Sequence, residues 1–425
     1  MIINMVCASR PIVARMTTSV LSVVVIGSLA GCVGDSGDSG RDFDVAGLLA
    51  DTTDQVILPG YQALAQQAER FAATDGPLAQ YCNAIGSVSE TTARVAARQN
   101  WRDLMDQWQL LELHRLGPVT NNDEALGKRI SSFGSSALSD CGVDQAVVLS
   151  QQDDFDITTR SNNQRGLETV EYLLFKDDLS HTCPSQVTVL DDWNDQSEQQ
   201  RKQWRCDYAQ VVANDIRDAA KTIHTSWSID GNNYRSAFLN PATAGSNLEL
   251  LSDAVFYLDV TVKDLKLGLP LGISNDCSEW SCPAQIESPL SEHSLANIRN
   301  NLVGFNRLIE HDGLSLGDLI RHAGVPDLAT RLTENTTAAI TLIDSMDSSL
   351  LAQANAIDSA DAKSQCTNAF NNPDISGPDN SADATDDFAA CRLYGFVKRI
   401  TDDLKVGFVA AVDVDLPDRA QSDND

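Results

Sequence analysis

The sequence is poor in positive charge and in long apolar segments. Its 425 residues include 31 Lys and Arg but 60 Asp and Glu, which gives a formal net charge of -29. Such an excess of negative charge argues against nucleic acid as a partner, because the phosphate backbone would be repelled. It suits cations as ligands, or simply keeps the protein in solution. After residue 31, no segment reaches the ~20 consecutive apolar residues of a membrane-spanning helix.

Several catalytic motifs are also absent. The six histidines include no His-Glu-x-x-His zinc motif, and the chain has no Gly-x-Ser-x-Gly nucleophile elbow. No glycine-rich phosphate loop stands out either. These absences argue against the common zinc peptidases, the α/β-hydrolases and nucleotide-binding enzymes.

Apolar residues recur at three- and four-residue spacing along most of the chain, whereas alternating strand patterns are scarce. This spacing predicts helices near 53–73, 89–115, 163–175, 196–228, 244–268, 294–311, 325–355 and 385–412. Gly, Asn and Pro interrupt the pattern near 230–244. The sequence therefore predicts an all-α fold of two helical bundles packed against each other. We expect the N-terminal bundle over 44–235 and the C-terminal bundle over 236–418.

The first 31 residues have the features of an export signal. They contain no acid and two bases, and the apolar run Val20–Ala30 is too short to span a bilayer but fits a signal peptide. The run ends in Leu29-Ala30-Gly31-Cys32, which resembles the lipobox of bacterial lipoproteins. The resemblance implies that 1–31 is removed and that lipid on Cys32 anchors the protein to a membrane. An ordinary signal peptide followed by a chance cysteine is the alternative.

The residues that follow Cys32 indicate a tether and a location. Residues 32–43 are rich in Gly, Ser and Asp, which predicts a flexible connection to the anchor. Val33 stands where an Asp favours inner-membrane retention in Gram-negative lipoproteins. We therefore expect the outer membrane, on the side that faces the periplasm.

Eight cysteines remain after the signal peptide and Cys32, and an even number in an exported chain predicts disulfides. Eight cysteines allow 105 pairings. Joining neighbours in sequence gives one of them: Cys82–Cys141, Cys183–Cys206, Cys277–Cys282 and Cys366–Cys391.

The predicted helix 89–115 carries charge on its apolar face. Glu112 projects only about 20° from Trp101 on a helical wheel, and Arg115 lies about 40° to the other side. An acid and a base are therefore expected to be buried. They form either a structural ion pair at i,i+3 or part of a binding site.

The predicted helix 163–175 places two carboxylates on a largely apolar side. Glu171 lies about 40° from Leu167, within the apolar face, and Glu168 lies at its edge. Two acids so placed repel each other and are costly to desolvate. A bound cation or shared protons would relieve this, and carboxylates on facing helices form metal sites in helical bundles. The alternative is that a basic residue such as Arg165 neutralises them without a ligand.

The same segment resembles the signature of the imelysin family, Gly-x-His-x-x-Glu. Gly166 and Glu171 match it, and Glu168 occupies the histidine position. The likeness extends over roughly 45–415. Further stretches that resemble family blocks are Trp101 to Pro118, Trp193-Asn194, Arg205 with Tyr208-Ala209, Asp264 to Gly272, and Glu287-Ser288-x-x-Ser291-x-x-Ser294.

The resemblance implies two helical bundles with the motif residues near their interface, export with a lipid anchor, and a link to bacterial iron uptake. The family is also filed among peptidases. The implied site residues are Glu112, Arg115, Gly166, Glu168, Glu171, Glu287 and Ser288. Glu168 in the histidine position removes a base or ligand from any peptidase mechanism that uses that histidine. It also shifts the expected metal preference towards oxygen-loving cations.

Three hypotheses follow. The first is a binding protein whose acidic site between the bundles holds iron, another divalent or trivalent cation, or an iron-bearing ligand, with an iron-uptake receptor or transporter as partner. Its expected metal ligands are Glu112, Glu168 and Glu171, and the other binding residues are Arg115, Gly166, Glu287 and Ser288. The second hypothesis is a metallopeptidase. The third is an interaction protein without metal, whose buried charges join the bundles and in which Ser288 merely opens a turn before Pro289.

Overall fold

The computed structural model describes residues 43–374 and 388–414, which contain helices and no β-strand. The α-helices are α1 (Val45–Thr52), α2 (Leu58–Ala72), α3 (Pro77–Ala84), α4 (Glu90–Leu111), α5 (Asn121–Ile130), α6 (Asp140–Leu149), α7 (Gly166–Phe175), α8 (Glu198–Trp227), α9 (Tyr234–Phe238), α10 (Ala244–Val255), α11 (Ser294–Ile309), α12 (Leu316–His322), α13 (Pro326–Asp344), α14 (Leu350–Asn355), α15 (Ala360–Asn371), α16 (Ala389–Asp403) and α17 (Val409–Val412). Wider π-helical segments cover Thr53–Ile57, Leu258–Gly268 and Leu404–Phe408.

The predicted signal peptide, Cys32 and the tether through residue 42 lie outside the described residues. Within the described part of the chain, we find no helix with the length and apolar character needed to cross a bilayer.

The N-terminal helices form a bundle around α8. This helix packs against α2, α5 and α7, while α4 packs against α2 and α3. The apolar residues Tyr208, Val212, Ile216 and Ile223 follow one face of α8, and all four are buried. The helical periodicity of the sequence is thus the pattern that this bundle uses to form its core.

The C-terminal helices form a second bundle around α16, which packs against α13, α15 and the π-helical segment Leu258–Gly268. The two bundles meet where α11 lies along α4. At this crossing Gly304 is required, because a Cβ there would lie 2.4 Å from the carbonyl oxygen of Leu110. One apolar core runs through both bundles. The predicted fold class, two packed helical bundles, is confirmed.

Two predicted helices are wrong in extent. The predicted helix 89–115 is α4, which ends at Leu111, so Arg115 lies beyond it. The segment 325–355 is not continuous, because α13 ends at Asp344 and α14 begins only at Leu350. The intervening residues are mostly Ser and Asp, whose side chains compete for backbone hydrogen bonds. Ser349 caps α14 by accepting a hydrogen bond from the Ala352 amide. The chain therefore starts a new helix at the Ser349 cap, although the apolar spacing continues through this segment.

The predicted domain boundary near 230–244 contains packed structure. Tyr234 and Phe238 of α9 contact Trp227 at the end of α8, with ring centroids 4.9 and 5.3 Å apart. The segment that follows α8 is therefore fixed to the N-terminal bundle by aromatic packing, and the boundary itself stays a prediction.

All eight cysteines expected to form disulfides are paired. The bonds are Cys82–Cys206, Cys141–Cys183, Cys277–Cys282 and Cys366–Cys391. Neighbour pairing is right for the last two bonds and wrong for the first two. It fails because α3 packs on α8, which brings together two cysteines 124 positions apart in sequence.

Candidate functional site

A cavity of about 560 Å³ lies between residues of the two bundles. The N-terminal bundle contributes Glu168, Glu171, Tyr172 and Lys176 from the region of α7, and the loop after α5 adds residues 133–138. The C-terminal side contributes Leu265, Leu269 and residues 284–290, which include Glu287 and Ser288. We call this space the acidic cavity. Four of the seven residues implied by the family resemblance therefore line the cavity, namely Glu168, Glu171, Glu287 and Ser288.

Helix α7 holds the two motif carboxylates in place. Gly166, its first residue, has a φ of +81°, and a Cβ there would lie 2.9 Å from the carbonyl oxygen of Ile130. Only glycine fits this close approach in that conformation. Arg165, just before the helix, donates to Asp215 of α8 at 2.9 Å, and Trp101 donates to the Leu167 carbonyl at 3.0 Å. The role of Gly166 is therefore to position the helix.

Glu168 is buried and receives hydrogen bonds from neutral donors. The Ser131 hydroxyl donates to one carboxylate oxygen at 2.5 Å, and the Ser132 amide donates to the other at 3.0 Å. Burial raises the pKa of Glu168 to about 7, although both hydrogen bonds favour the charged form. This group is therefore partly protonated at neutral pH.

Glu171 has the same kind of environment. Both the amide and the hydroxyl of Ser291 donate to one of its oxygens at 2.7 Å. Burial raises the pKa of Glu171 to about 7, and the charges of Glu168 and Glu287 add to the increase. The mutual influence of these three groups shows that they share one electrostatic environment.

Glu287 joins the acidic cavity to a second buried network. It accepts a hydrogen bond from Gln109 at 2.9 Å, and the ammonium of Lys266 lies 3.0 Å from its other oxygen. Burial raises the pKa of Glu287 although Lys266 acts in the opposite direction. The next residue, Ser288, has a φ of +53° and accepts a hydrogen bond from Asn297 at 3.1 Å. The turn expected at Ser288 is present, and it directs Glu287 inward.

Glu112 lies behind the acidic cavity, in what we call the lysine network. Lys266 donates to Glu112 at 2.7 Å, to Gln109 at 2.6 Å and to Asn301 at 3.0 Å. Arg115 lies 3.3 Å from Glu112, so the predicted i,i+3 ion pair is formed. Burial alone would raise the pKa of Glu112, but Lys266 and Arg115 hold it below its ordinary value. The structure therefore does not gather Glu112 with Glu168 and Glu171.

Arg115 also contacts a smaller cavity of about 200 Å³ beside the first. Its guanidinium pairs with Glu124 at 2.7 Å and lies 5.0 Å from the ring centroid of Tyr257. Arg115 is thus neutralised by carboxylates of its own bundle and does not compensate the charges of Glu168 and Glu171.

Sequence reasoning missed Lys266, Gln109 and Asn301, which form the lysine network, and the hydroxyl donors Ser131 and Ser291. Lys266 lies within the family block Asp264 to Gly272. A lysine between the apolar residues of this segment indicates a buried charge that needs an acidic partner. The partners of a buried lysine, however, depend on tertiary contacts that one sequence does not show.

The donor set offers carboxylate oxygens, the ligands that hard cations prefer. Within residues 43–374 and 388–414, however, no group of three or more His, Cys, Asp or Glu side chains is arranged to hold a metal ion. Glu168 and Glu171 could therefore supply only part of a coordination sphere.

The fold and this site define an all-α protein of two bundles with an acidic cavity between them. The family model for imelysin matches residues 57–373, so the chain belongs to the imelysin family. A curated relative, Iron-regulated protein A of Synechococcus elongatus, is 24% identical over 280 residues. That match covers 63% of this chain and 65% of the relative, slightly less than two thirds of its length.

Two solved structures share the fold. An imelysin-like protein from Psychrobacter arcticum 273-4 has a TM-score of 0.60 at 15% identity, covering 87% of this chain and 95% of that one. A protein described as a precursor of iron-regulated protein A, from Parabacteroides distasonis ATCC 8503, has a TM-score of 0.53 at 14% identity, covering 84% and 94%.

Proposed function

We propose that this protein is an exported, lipid-anchored binding protein that takes an iron-bearing ligand, or another hard cation, into the acidic cavity. One observation carries the proposal. Glu168 and Glu171 are buried side by side in a cavity, and the hydrogen bonds they receive come from neutral Ser donors. Buried carboxylates are stabilised by a counter-charge, so a ligand with positive charge is the one they favour.

The size of the cavity favours a metal ion bound to a small chelator over a bare metal ion. A volume of about 560 Å³ falls in the range of small-molecule sites and far exceeds one ion. Because the two glutamates offer only part of a coordination sphere, a small chelator would supply the remaining ligands. Ferric iron is the hard cation we favour, since two of the similar proteins named above are described as iron-regulated protein A or its precursor.

The biological setting belongs to the same proposal. The Leu29 to Cys32 motif supports lipid attachment, Val33 supports an outer-membrane location facing the periplasm, and an uptake receptor or transporter would be the partner. Replacing Cys32 with Ala should abolish incorporation of labelled palmitate. Equal labelling of the variant would remove the anchor from the proposal.

The cavity itself is tested with Glu171→Gln, which keeps the side-chain shape and removes its charge. Calorimetric titration with ferric nitrilotriacetate should show binding to the wild type and at least about tenfold weaker binding to the variant. Glu334→Gln, at an exposed position on α13, makes the same charge change away from the cavity and should bind like the wild type. If the wild type binds no iron, or if both variants bind equally, the acids are structural and an interaction protein becomes the better description.

A further inference from the structure

The acidic cavity has a basic end as well as an acidic one. Lys176 lines it, and its ammonium donates to the Tyr172 hydroxyl at 2.7 Å. Glu168 and Tyr172 lie one turn apart on α7, and Lys176 is the residue that directly follows the helix. At 1.5 Å per residue, Glu168 lies about 10 Å along the helix axis from Phe175, the last residue of α7 before Lys176. The two charges of opposite sign therefore stand at separate ends of one space.

The ammonium of Lys176 has donor capacity left for a ligand. An ammonium group carries three donors, and in the described part of the chain the hydrogen bond found for it is the one to Tyr172. Asp144, which accepts from the Tyr172 hydroxyl, is already compensated by Arg205 at 4.0 Å. Asp140 also lines this end and is attracted by the Lys176 charge, but it is exposed to solvent, which screens the attraction. Lys176 can therefore receive an anionic group at the cavity wall.

Much of the remaining cavity wall is apolar. Leu265 and Leu269 come from the π-helical region, Ile286 and Leu290 from the segment before α11, and Phe133 from the loop after α5. Leu290 is exposed at 43%, which extends the apolar lining to the surface. The central part of a ligand that reaches both ends would pack against these apolar side chains.

We propose that the ligand of the acidic cavity is an elongated amphipathic molecule, with its positive or iron-bearing head at Glu168 and Glu171, an apolar body, and an anionic tail held by Lys176. This inference rests on the proposed function, which supplies the occupant of the acidic end. It adds the chemistry of the rest of the ligand and assigns Lys176 as the residue that recognises the tail.

The test uses two ferric probes that differ only at the tail. Both have an iminodiacetate head, which leaves iron positions open for protein carboxylates, and an eight-carbon chain that ends in a carboxylate in one probe and in a methyl group in the other. The wild type should bind the carboxylate-tailed probe at least about tenfold more tightly. Lys176→Met and Lys176→Gln should each abolish this preference and leave the affinity for the methyl-tailed probe unchanged. Lys221→Met, at an exposed position on α8, should behave like the wild type.

The outcomes separate the two proposals. Equal binding of both probes by the wild type, or the same loss for both probes in the Lys176 variants, would overturn the anionic tail and leave the iron site standing. If neither probe binds and ferric N-methyliminodiacetate does not bind, the proposed function and this inference are both overturned. If the head-only chelate binds as tightly as the tailed ones, the apolar body is refuted.

Discussion

The acidic cavity and the lysine network bury carboxylates in opposite ways. In the network, Glu112 is wholly buried and contacts two resident cations, Lys266 and Arg115. In the cavity, Glu168 and Glu171 are nearly as buried, but the hydrogen bonds found for them within the described residues come from hydroxyl and amide donors. The pKa of Glu112 is accordingly lowered, whereas those of Glu168 and Glu171 are raised to about 7. Burial is common to both regions, so the resident cation decides the difference.

This difference separates a structural group of charges from one that is available to a ligand. The lysine network satisfies its charges internally and ties α4, α11 and the π-helical segment together across the two bundles. In the cavity, no ion pair is found for Glu168 or Glu171 among the described residues, although the charge of Arg102 acts on Glu171, and the pKa values of both glutamates lie near 7. A cation entering the cavity would displace protons, whereas one approaching Glu112 would have to displace Lys266.

Removing Lys266 should have the largest effect on stability. Lys266→Met leaves Glu112 and Glu287 without their shared ammonium, and breaking a buried ion pair from one side costs about 3–5 kcal/mol. The free energy of unfolding from denaturant titration should fall by that order. Lys221→Met, an exposed lysine on α8, should change it by less than about 0.5 kcal/mol. A Lys266 variant as stable as the wild type would show that the network does not hold the bundles together.

The two regions should respond to pH with opposite signs in the metal-free protein. Because the folded pKa values of Glu168 and Glu171 are raised to about 7, the native state binds more protons than the unfolded state between about pH 4.5 and pH 7. Their burial therefore costs stability above pH 7, and that cost disappears as the pH falls. The double change Glu168→Gln and Glu171→Gln should stabilise the protein by up to about 3 kcal/mol per residue at pH 8 and by less than about 1 kcal/mol per residue at pH 5.

Glu112 provides the contrasting variant. Its folded pKa is lowered, so it contributes stability above its ordinary pKa that is lost as the pH falls through the lowered value. Glu112→Gln should therefore destabilise the protein at pH 7, with a difference from the wild type that narrows in acid. Denaturant titrations across about pH 2.5 to 8 measure both series. If the stability difference from the wild type changes with pH in the same way in both, the two regions do not differ.

The sequence predicts the elements of the site better than their contacts. The helical phases of Glu112 and Glu171 correctly place both on buried faces, and the even cysteine count correctly predicts full pairing. The phases do not reveal that Lys266, from the other bundle, lies 2.7 Å from Glu112. Glu112 therefore pairs with Lys266 and does not join Glu168 and Glu171 in the cavity. That partner is brought there by the packing of a π-helical segment, which a repeat of three and four residues does not describe. The same reason explains the Cys82–Cys206 bond, since it depends on how α3 meets α8.

The smallest change tests how far neutral donors substitute for a cation. The Ser131 hydroxyl donates to Glu168 at 2.5 Å and favours its charged form, so Ser131→Ala should raise the pKa of Glu168 above about 7 and leave that of Glu171 near 7. The loss in stability should be about 1 kcal/mol, the net value of one hydrogen bond. Titration of carbon-13-labelled glutamate by NMR would follow both groups. Ser135→Ala is the matched control, because Ser135 lines the same cavity but donates to the Ser132 carbonyl. If the Glu168 pKa stays unchanged in Ser131→Ala but shifts in Ser135→Ala, the loop as a whole, and not one hydroxyl, sets the charge of this carboxyl.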